Sequence, residues 1–300
     1  MTTSSLLRLA GATTLALLAG FAQAADTPSK RIVSTTPSVT GILLAMDAPL
    51  VASAATTPSR LSDGKGFFTQ WADVADQRGV QVLYKNLVFD IESVIGQDPD
   101  LLVISATGAD SVIQHQAELE AQGVKTLVVN YSNQSWQQIA TELGRQTGLE
   151  TQAAAAIKRF DDYTADVGAQ LKLPAGSVSV VGYNIGGSYS IARENSPQAR
   201  VIEALGFKVA GLPTVLESQV KRSSDVAFIS RENLSAGITG DSVFLLSATD
   251  ADAQAFLADP VLANLPAVIN KRVYPLGPSS FRIDYYSGRE MIDAVARNFR

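Results

Sequence analysis

The stretch that decides the fold is residues 150–173, ETQAAAAIKRFDDYTADVGAQLKL. Within it Ala153, Ile157, Phe160, Thr164, Val167 and Leu171 recur at alternating steps of four and three, so a helix gathers them into one stripe with only Thr164 out of character. Around that narrow stripe the residues are mostly polar or alanine. Gly148 is placed to cap the element before it, and Pro174 disfavours helix at Leu173, so both boundaries are marked. A helix of this length spans roughly 35 Å, the width of a small domain. Periodicity alone suits one more surface helix of an α/β domain as well as a rigid strut between two lobes; the flanking sequence separates the two.

On the N-terminal side, short apolar runs alternate with helical patterns. Residues 31–35 and 50–54 read as strands around a helix at 38–46, followed by the polar, glycine-containing loop TTPSRLSDGKG at 56–66. A short helix at 92–96 leads through Asp98-Pro99-Asp100 into a buried strand at 101–105. Helix follows at 109–122, strand at 126–131, and helix at 135–147 with Ser132 or Asn133 as its cap. After Pro174 the alternation begins again, with strands at 177–184, 243–247 and 272–276 and a short strand or helix start at 225–230. Helices are expected at 197–205, at 251–267 with a break at Pro260, and at 285–299. Such alternation predicts parallel sheets covered on both faces, built twice, which favours the strut. The expected division is a signal peptide at 1–24, an α/β lobe at 25–148, a bridging helix at 149–173 and a second α/β lobe at 174–300.

The first 24 residues stand apart. Arg8 is their only charge, an apolar run covers 15–22, and Ala22-Gln23-Ala24 forms a small-residue cleavage site, the pattern of a secretory signal peptide whose apolar core is too short to span a membrane. Removing it takes away Arg8 and no acid, leaving 23 basic against 29 acidic side chains and a net charge of −6. An acidic exported chain is a poor nucleic-acid binder. With no cysteine it has neither disulfides nor a lipid-modified cysteine, and no later apolar run reaches spanning length, so a freely diffusing protein of a bacterial periplasm is expected, with no membrane insertion after processing.

Familiar catalytic constellations are missing. The single histidine, His115, lies between glutamines on a polar helix face; no serine sits in a G-x-S-x-G elbow, and Gly182, Gly186 and Gly187 fit no nucleotide-binding spacing. A zinc site built from several histidines is excluded by count. What remains is arginine in loops: Arg60 in the 56–66 loop, Arg193 after a strand-like segment, and Arg282 in PSSFRIDYY. Each falls where a strand should hand over to a helix, at the carboxyl edge where open α/β sheets bind ligands. Aromatic residues accompany them: Phe67 and Phe68 near Arg60, Tyr189 near Arg193, and Phe281, Tyr285 and Tyr286 around Arg282. Guanidinium groups among rings make a mouth for a flat, anionic, partly apolar guest.

The runs RIVSTTPSVTGILLAMDAPLVASAATTPSR, GQDPDLLVISATGADS, NYSNQSWQQIATELGRQTG, FLADPVLANLPAVINKRVYPLG and FRIDYYS resemble the periplasmic ferric siderophore-binding proteins that feed ABC importers, in particular those that bind ferric enterobactin. The resemblance covers nearly all of the chain after residue 24. It implies an α/β fold of two Rossmann-like lobes joined by a single long helix, the helical-backbone, class III architecture, with the ligand cleft between the lobes and little closure. It further implies a monomer that is not an enzyme and needs no cofactor or metal site, because the siderophore itself holds the iron. Arg60 and Arg282 would face a ferric tris-catecholate of charge −3, with Phe281, Tyr189 and Tyr286 against the catechol rings; Arg193, from its loop position, is expected on the same rim. Glu92 and Glu232, one on top of each lobe, would pair with arginines of the inner-membrane permease.

Two departures stand out. Enterobactin binders carry a tryptophan near the position of Ala192, where this chain reads Ala192-Arg193, and only ADTPSK precedes the RIVS strand where relatives have a hairpin. Other guests in the same fold are hydroxamate chelates, cobalamin and haem. Arginines disfavour the neutral or cationic hydroxamates, and haem asks for an axial histidine or a tyrosine such as Tyr84, Tyr131, Tyr183 or Tyr189. A periplasmic siderophore esterase would need a serine beside a base, which the lone histidine does not offer.

Overall fold

A computed structural model describes residues 30–132, 134–222 and 225–300. The signal peptide expected at 1–24 and Asn133, offered above as a cap, lie outside the described residues.

The first half contains strands β1 (Ile32–Ser34), β2 (Leu50–Ser53), β3 (Gln81–Val82), β4 (Leu101–Ser105) and β5 (Thr126–Val129). Between and after them run helices α1 (Pro37–Ala45), α2 (Thr69–Gln77), α3 (Ile91–Gly96), α4 (Gln116–Ala121) and α5 (Trp136–Thr147). The strands pair in the order β3-β2-β1-β4-β5, all parallel. All five residues of β4, LLVIS, are buried, as they must be in a parallel sheet covered on both faces. Strand order reverses between β1 and β4, and such a switch opens a crevice at the carboxyl ends of the two strands. The helix expected from 109 begins only at a 3₁₀ turn, Ile113–His115. Asp110 and Ser111 instead fold inward, the Ser111 hydroxyl donating to Ser105 O at 2.7 Å.

Ser135 caps α5, in place of the expected Ser132 or Asn133. Its Oγ accepts from Gln138 N (3.2 Å) while Gln138 Oε1 accepts from Ser135 N (2.8 Å), a reciprocal pair that satisfies two otherwise unbonded amides. Gly148 turns left-handed after α5, and α6 (Glu150–Gly168) begins two residues on. Ala153, Ala156, Phe160, Thr164 and Val167 are its buried face. Thr164 is tolerated there because its hydroxyl bonds back to Phe160 O at 2.8 Å. The helix stops at Gly168, five residues short of the expected end. Gln170 N and Leu171 N bond within a closing turn, to Val167 O and Gly168 O. Lys172 N then leaves the helix to bond Phe299 O at 2.6 Å. Nineteen residues still span about 28 Å.

The second half contains β6 (Val178–Ile185), β7 (Ser188–Ala192), β8 (Lys221–Arg222), β9 (Val226–Ile229), β10 (Ser242–Leu245) and β11 (Val273–Pro275). Its helices are α7 (Pro197–Ala204), α8 (Arg231–Gly237), α9 (Asp250–Leu257), α10 (Pro266–Ile269) and α11 (Tyr285–Phe299). Sheet order is β11-β10-β6-β7-β9-β8. Here the expectation of a second purely parallel sheet fails: β11, β10 and β6 are parallel, whereas β7 runs antiparallel to β6 and β9, and β8 to β9. Gly186 and Gly187, both at positive φ, make the two-residue hairpin that reverses the chain into β7. The segment expected as helix 251–267 divides into α9 and α10, with Val261 N turning onto Asp259 Oδ1 at 2.9 Å beside Pro260.

α6 carries the chain from one sheet to the other, and α11 packs along it while touching α1, α2 and α7. Asp284, buried at the start of α11, accepts from Tyr286 N and Ser287 N (both 2.8 Å) and from Gln70 Nε2 of the first lobe (3.3 Å). Arg159 of α6 donates to Ala45 O at the end of α1 (3.0 Å), and Arg289 of α11 lies over the Tyr163 ring of α6 at 4.2 Å. One apolar core therefore runs through both lobes, from Ile32, Leu43 and Trp71 past Trp136 and Phe160 to Val180, Phe244 and Met291. Phe160 is its waist, with ring centroids 5.1 Å from Trp136 and 6.2 Å from Tyr285; truncating it to alanine costs about 3–5 kcal/mol. Lobes that share a core at their junction have little freedom to swing.

Candidate ligand-binding mouth

Carboxyl ends of both sheets meet on one side of the molecule. From the first lobe comes the 56–68 loop, which is built rather than floppy: Asp63 Oδ1 accepts from Lys65 N, Gly66 N and Phe67 N at 2.8–2.9 Å. It presents Arg60, half exposed, whose Nη2 donates to Ser247 O of the second lobe (3.0 Å) and whose Nη1 lies 3.6 Å from Asp252 of α9. From the second lobe comes the 3₁₀ turn Pro278–Phe281. Ser280 Oγ accepts from Ser247 N (2.9 Å), and Gln198 Nε2 donates to the carbonyls of Ser280 (3.1 Å) and Phe281 (2.9 Å). Phe281 meets Phe68 of the first lobe edge to face, centroids 6.0 Å apart. The next residue, Arg282, crosses back: its guanidinium carbon sits 4.4 Å from the ring centroid of Tyr131, at the carboxyl end of β5.

Arg60, Phe281 and Arg282 thus each make a contact from one lobe to the other, with Ser247, Phe68 and Tyr131 as their respective partners. A small cavity of about 40 Å³ adjoins Phe281 and Arg282, lined also by Ser38, Tyr131, Gln134, Gln198 and Asp225. Tyr189 stands further along the same side of the second sheet. Its ring is 5.5 Å from Tyr183, which packs on Phe256 of α9, one helical turn from Asp252. Tyr183 donates to Asp259 (2.8 Å), and Arg231 Nη2 donates to the other oxygen of that buried carboxylate (2.8 Å). Burial, with Asp259 beside it, pushes the Tyr183 phenol up to about 12.

Arg193 and Tyr286 are placed elsewhere. Arg193 follows β7 at the end opposite Tyr189, about 13 Å away along the strand. It lines a separate polar cavity of about 400 Å³ with Glu194, Thr214 and Glu217, while its N–H bonds Asp225 O. Tyr286 turns toward the far ends of α1 and α2, where Arg78 pairs with Asp47; burial pushes its phenol up to about 12. A roomier apolar hollow of about 480 Å³, lined by Trp136, Ile157, Phe160, Val201 and Ile283, lies beside α6.

Sequence reasoning passed over Phe68's cross-lobe role, Asp110, Arg231 and Asp252. Tyr131 was noted only as an iron ligand, although it ends a strand as the three arginines were argued to do. Glu92 and Glu232 are each the second residue of a short helix, α3 and α8, and both are exposed. Asp90 caps the first of these through Glu92 N (3.1 Å) and Ser93 N (3.3 Å). His115 stacks on Phe89 (4.3 Å between centroids) and approaches Glu118. Among the described residues no group of three His, Cys, Asp or Glu could hold a metal ion, and no helix is long and apolar enough to cross a membrane.

Residues 32–279 match the sequence profile of the family described as periplasmic binding protein. The ferric enterobactin-binding periplasmic protein FepB of Escherichia coli O6:H1 is 43% identical over 279 residues, covering 91% of this chain and 87% of that one. The crystal structure of holo-ViuP superposes with a TM-score of 0.81 at 40% identity, over 90% of this chain and 89% of that one. SirA of Staphylococcus aureus shares the fold, with a TM-score of 0.67 at 18% identity over 89% of this chain and 98% of its own.

Proposed function

This chain belongs to the periplasmic binding protein family, and from that premise we propose that it captures a ferric catecholate siderophore of the enterobactin type in the periplasm and delivers it to an inner-membrane ABC importer. It is a binding protein rather than an enzyme, as its relatives are. One observation supports the ligand class: Arg60 and Arg282 start in different lobes and each reaches across to the other lobe, as Phe281 does to Phe68, so two cations and two phenylalanine rings lie along the junction of the lobes. A bulky trianion with aromatic arms matches that opening in both charge and surface. The enclosed cavity is far smaller than the roughly 300–1,000 Å³ of ordinary ligand sites, so the guest rests across the mouth rather than within it.

Arg60, Arg282 and Phe281 are the primary ligand-binding residues of this proposal. Tyr189 forms its outer wall. Arg193, read from its loop position, and Tyr286, read from the family resemblance, contribute only if the guest extends well beyond the opening. Glu92 and Glu232, at matched positions of α3 and α8, would dock the two lobes on the permease after export directed by residues 1–24. Haem is disfavoured because the phenols of Tyr131 and Tyr183 are already committed to Asp110 and Asp259. Native mass spectrometry against a panel of ferric siderophores tests the proposal: one equivalent of ferric enterobactin should bind, and ferrichrome should not. Tight ferrichrome binding with no catecholate complex would overturn it.

A further inference from the structure

Arg60 and Arg282 differ in how they are held. Arg60 lies against a carboxylate, Asp252, which cancels part of its charge. Arg282 is held by a ring: the face of Tyr131. A cation held over a ring keeps its whole charge for an incoming anion.

Tyr131 is itself fixed from behind. Its hydroxyl donates to Asp110 Oδ1 at 2.5 Å, and Asp110 is buried where β1 and β4 diverge. The other oxygen of Asp110 accepts from Thr36 Oγ1 (2.6 Å) and from Ser38 N (3.2 Å) at the start of α1. Thr36 leaves that helix end without a side-chain cap of its own, so Asp110 supplies one from another segment, and the positive helix N-terminus offsets part of its charge. Space for the phenol is made by Gly108, where a Cβ would lie 1.6 Å from the Tyr131 hydroxyl. A phenol that donates to a carboxylate also has a more electron-rich ring, which strengthens the attraction for a cation on its face.

We propose, on the premise that the mouth takes an anionic chelate, that Asp110 and Tyr131 are positioning residues for the ligand: they hold Arg282 at the opening without neutralising it. Of these three residues only Arg282 touches the guest; Tyr131 sets where its guanidinium stands, and Asp110 sets where Tyr131 stands.

A double-mutant cycle between Tyr131→Leu and Arg282→Ala, read as the dissociation constant for ferric enterobactin, tests this. Tyr131→Leu should weaken binding about tenfold in the wild-type background and hardly at all in the Arg282→Ala background. Tyr131→Phe, which keeps the ring, should recover most of the loss, and Asp110→Asn should fall between the two. A purely structural role would lower the melting temperature with equal losses in both backgrounds, and that result overturns the proposal. A crystal structure of unliganded Tyr131→Leu decides the same point without ligand. Arg282 should leave its present position; if it stays, the proposal is wrong whatever the affinities. Should that variant fail to fold, Asp110→Asn takes its place in both arms, and unchanged affinity with Arg282 unmoved refutes the relay. Absence of any ferric enterobactin binding by the wild type would instead refute the functional reading, while the unliganded structure would still decide the positioning.

Discussion

Asp252→Asn should tighten ligand binding, an unusual direction for a substitution at a binding mouth. Asp252 lies 3.6 Å from Arg60, and both side chains are partly exposed, 39% and 52%. At an effective dielectric of about 20, a unit anion about 6 Å from Arg60 gains roughly 3 kcal/mol, and one about 9 Å from Asp252 loses roughly 2. Solvent screening shrinks both figures, so the net gain on neutralising Asp252 is about 1–1.5 kcal/mol, close to tenfold in affinity. Asparagine keeps the acceptor that receives Thr249 N at 2.7 Å, so the cap of α9 survives. Quenching of intrinsic fluorescence by ferric enterobactin reads the constant, and the advantage over wild type should fade as salt rises. By the same reasoning Arg282→Ala, which removes a cation with no salt bridge among the described residues, should weaken binding more than Arg60→Ala. Unchanged or weaker binding by Asp252→Asn would show that the anion does not sit beside Arg60.

Gly41→Ala should destabilise the fold by about 1–3 kcal/mol, because its Cβ would lie 2.5 Å from Asp284 Oδ2 and 2.7 Å from Trp71 Cδ1; an unshifted urea midpoint would contradict the packing described. Burial pushes the Asp284 carboxyl above its ordinary value, with its amide bonds opposing. The folded state therefore holds this proton more tightly than the unfolded chain. Its contribution is full below about pH 4 and is lost as pH rises through the folded value, so wild type should lose stability relative to Asp284→Asn over that rise. Parallel urea titrations from acid to neutral pH check this, and a constant difference between the two proteins would contradict it. Glu92→Ala with Glu232→Ala should leave the ligand constant intact and abolish iron uptake by cells, and normal uptake would remove the docking role.

Much of this architecture was legible because its signals are local. The 150–173 periodicity, the LLVIS strand and the 285–299 helix each depend on residues a few positions apart. The hairpin at Gly186–Gly187 was not, since two glycines after a strand suit a loop as well as a reversal, and the antiparallel half of the second sheet went with it. Arg60 and Arg282 could be picked out because they lie in loops where a strand hands over to a helix. Arg193 ends a strand, but β7 runs the other way, which carries it to a different cavity. Tyr286 adjoins Arg282 in sequence, yet a helix begins between them and turns its ring to the far side of the first lobe. Asp110, Asp252 and Phe68 act through partners distant along the chain, and no spacing in the sequence announces such pairs.

The central claim is that an anionic iron chelate sits between Arg60 and Arg282. Anomalous diffraction at the iron edge from crystals of the ferric enterobactin complex places the metal directly. The account predicts a single peak over the mouth, flanked by Arg60, Phe281 and Arg282. A peak in the hollow beside α6 lined by Trp136 and Phe160, or beside Arg193, would contradict it.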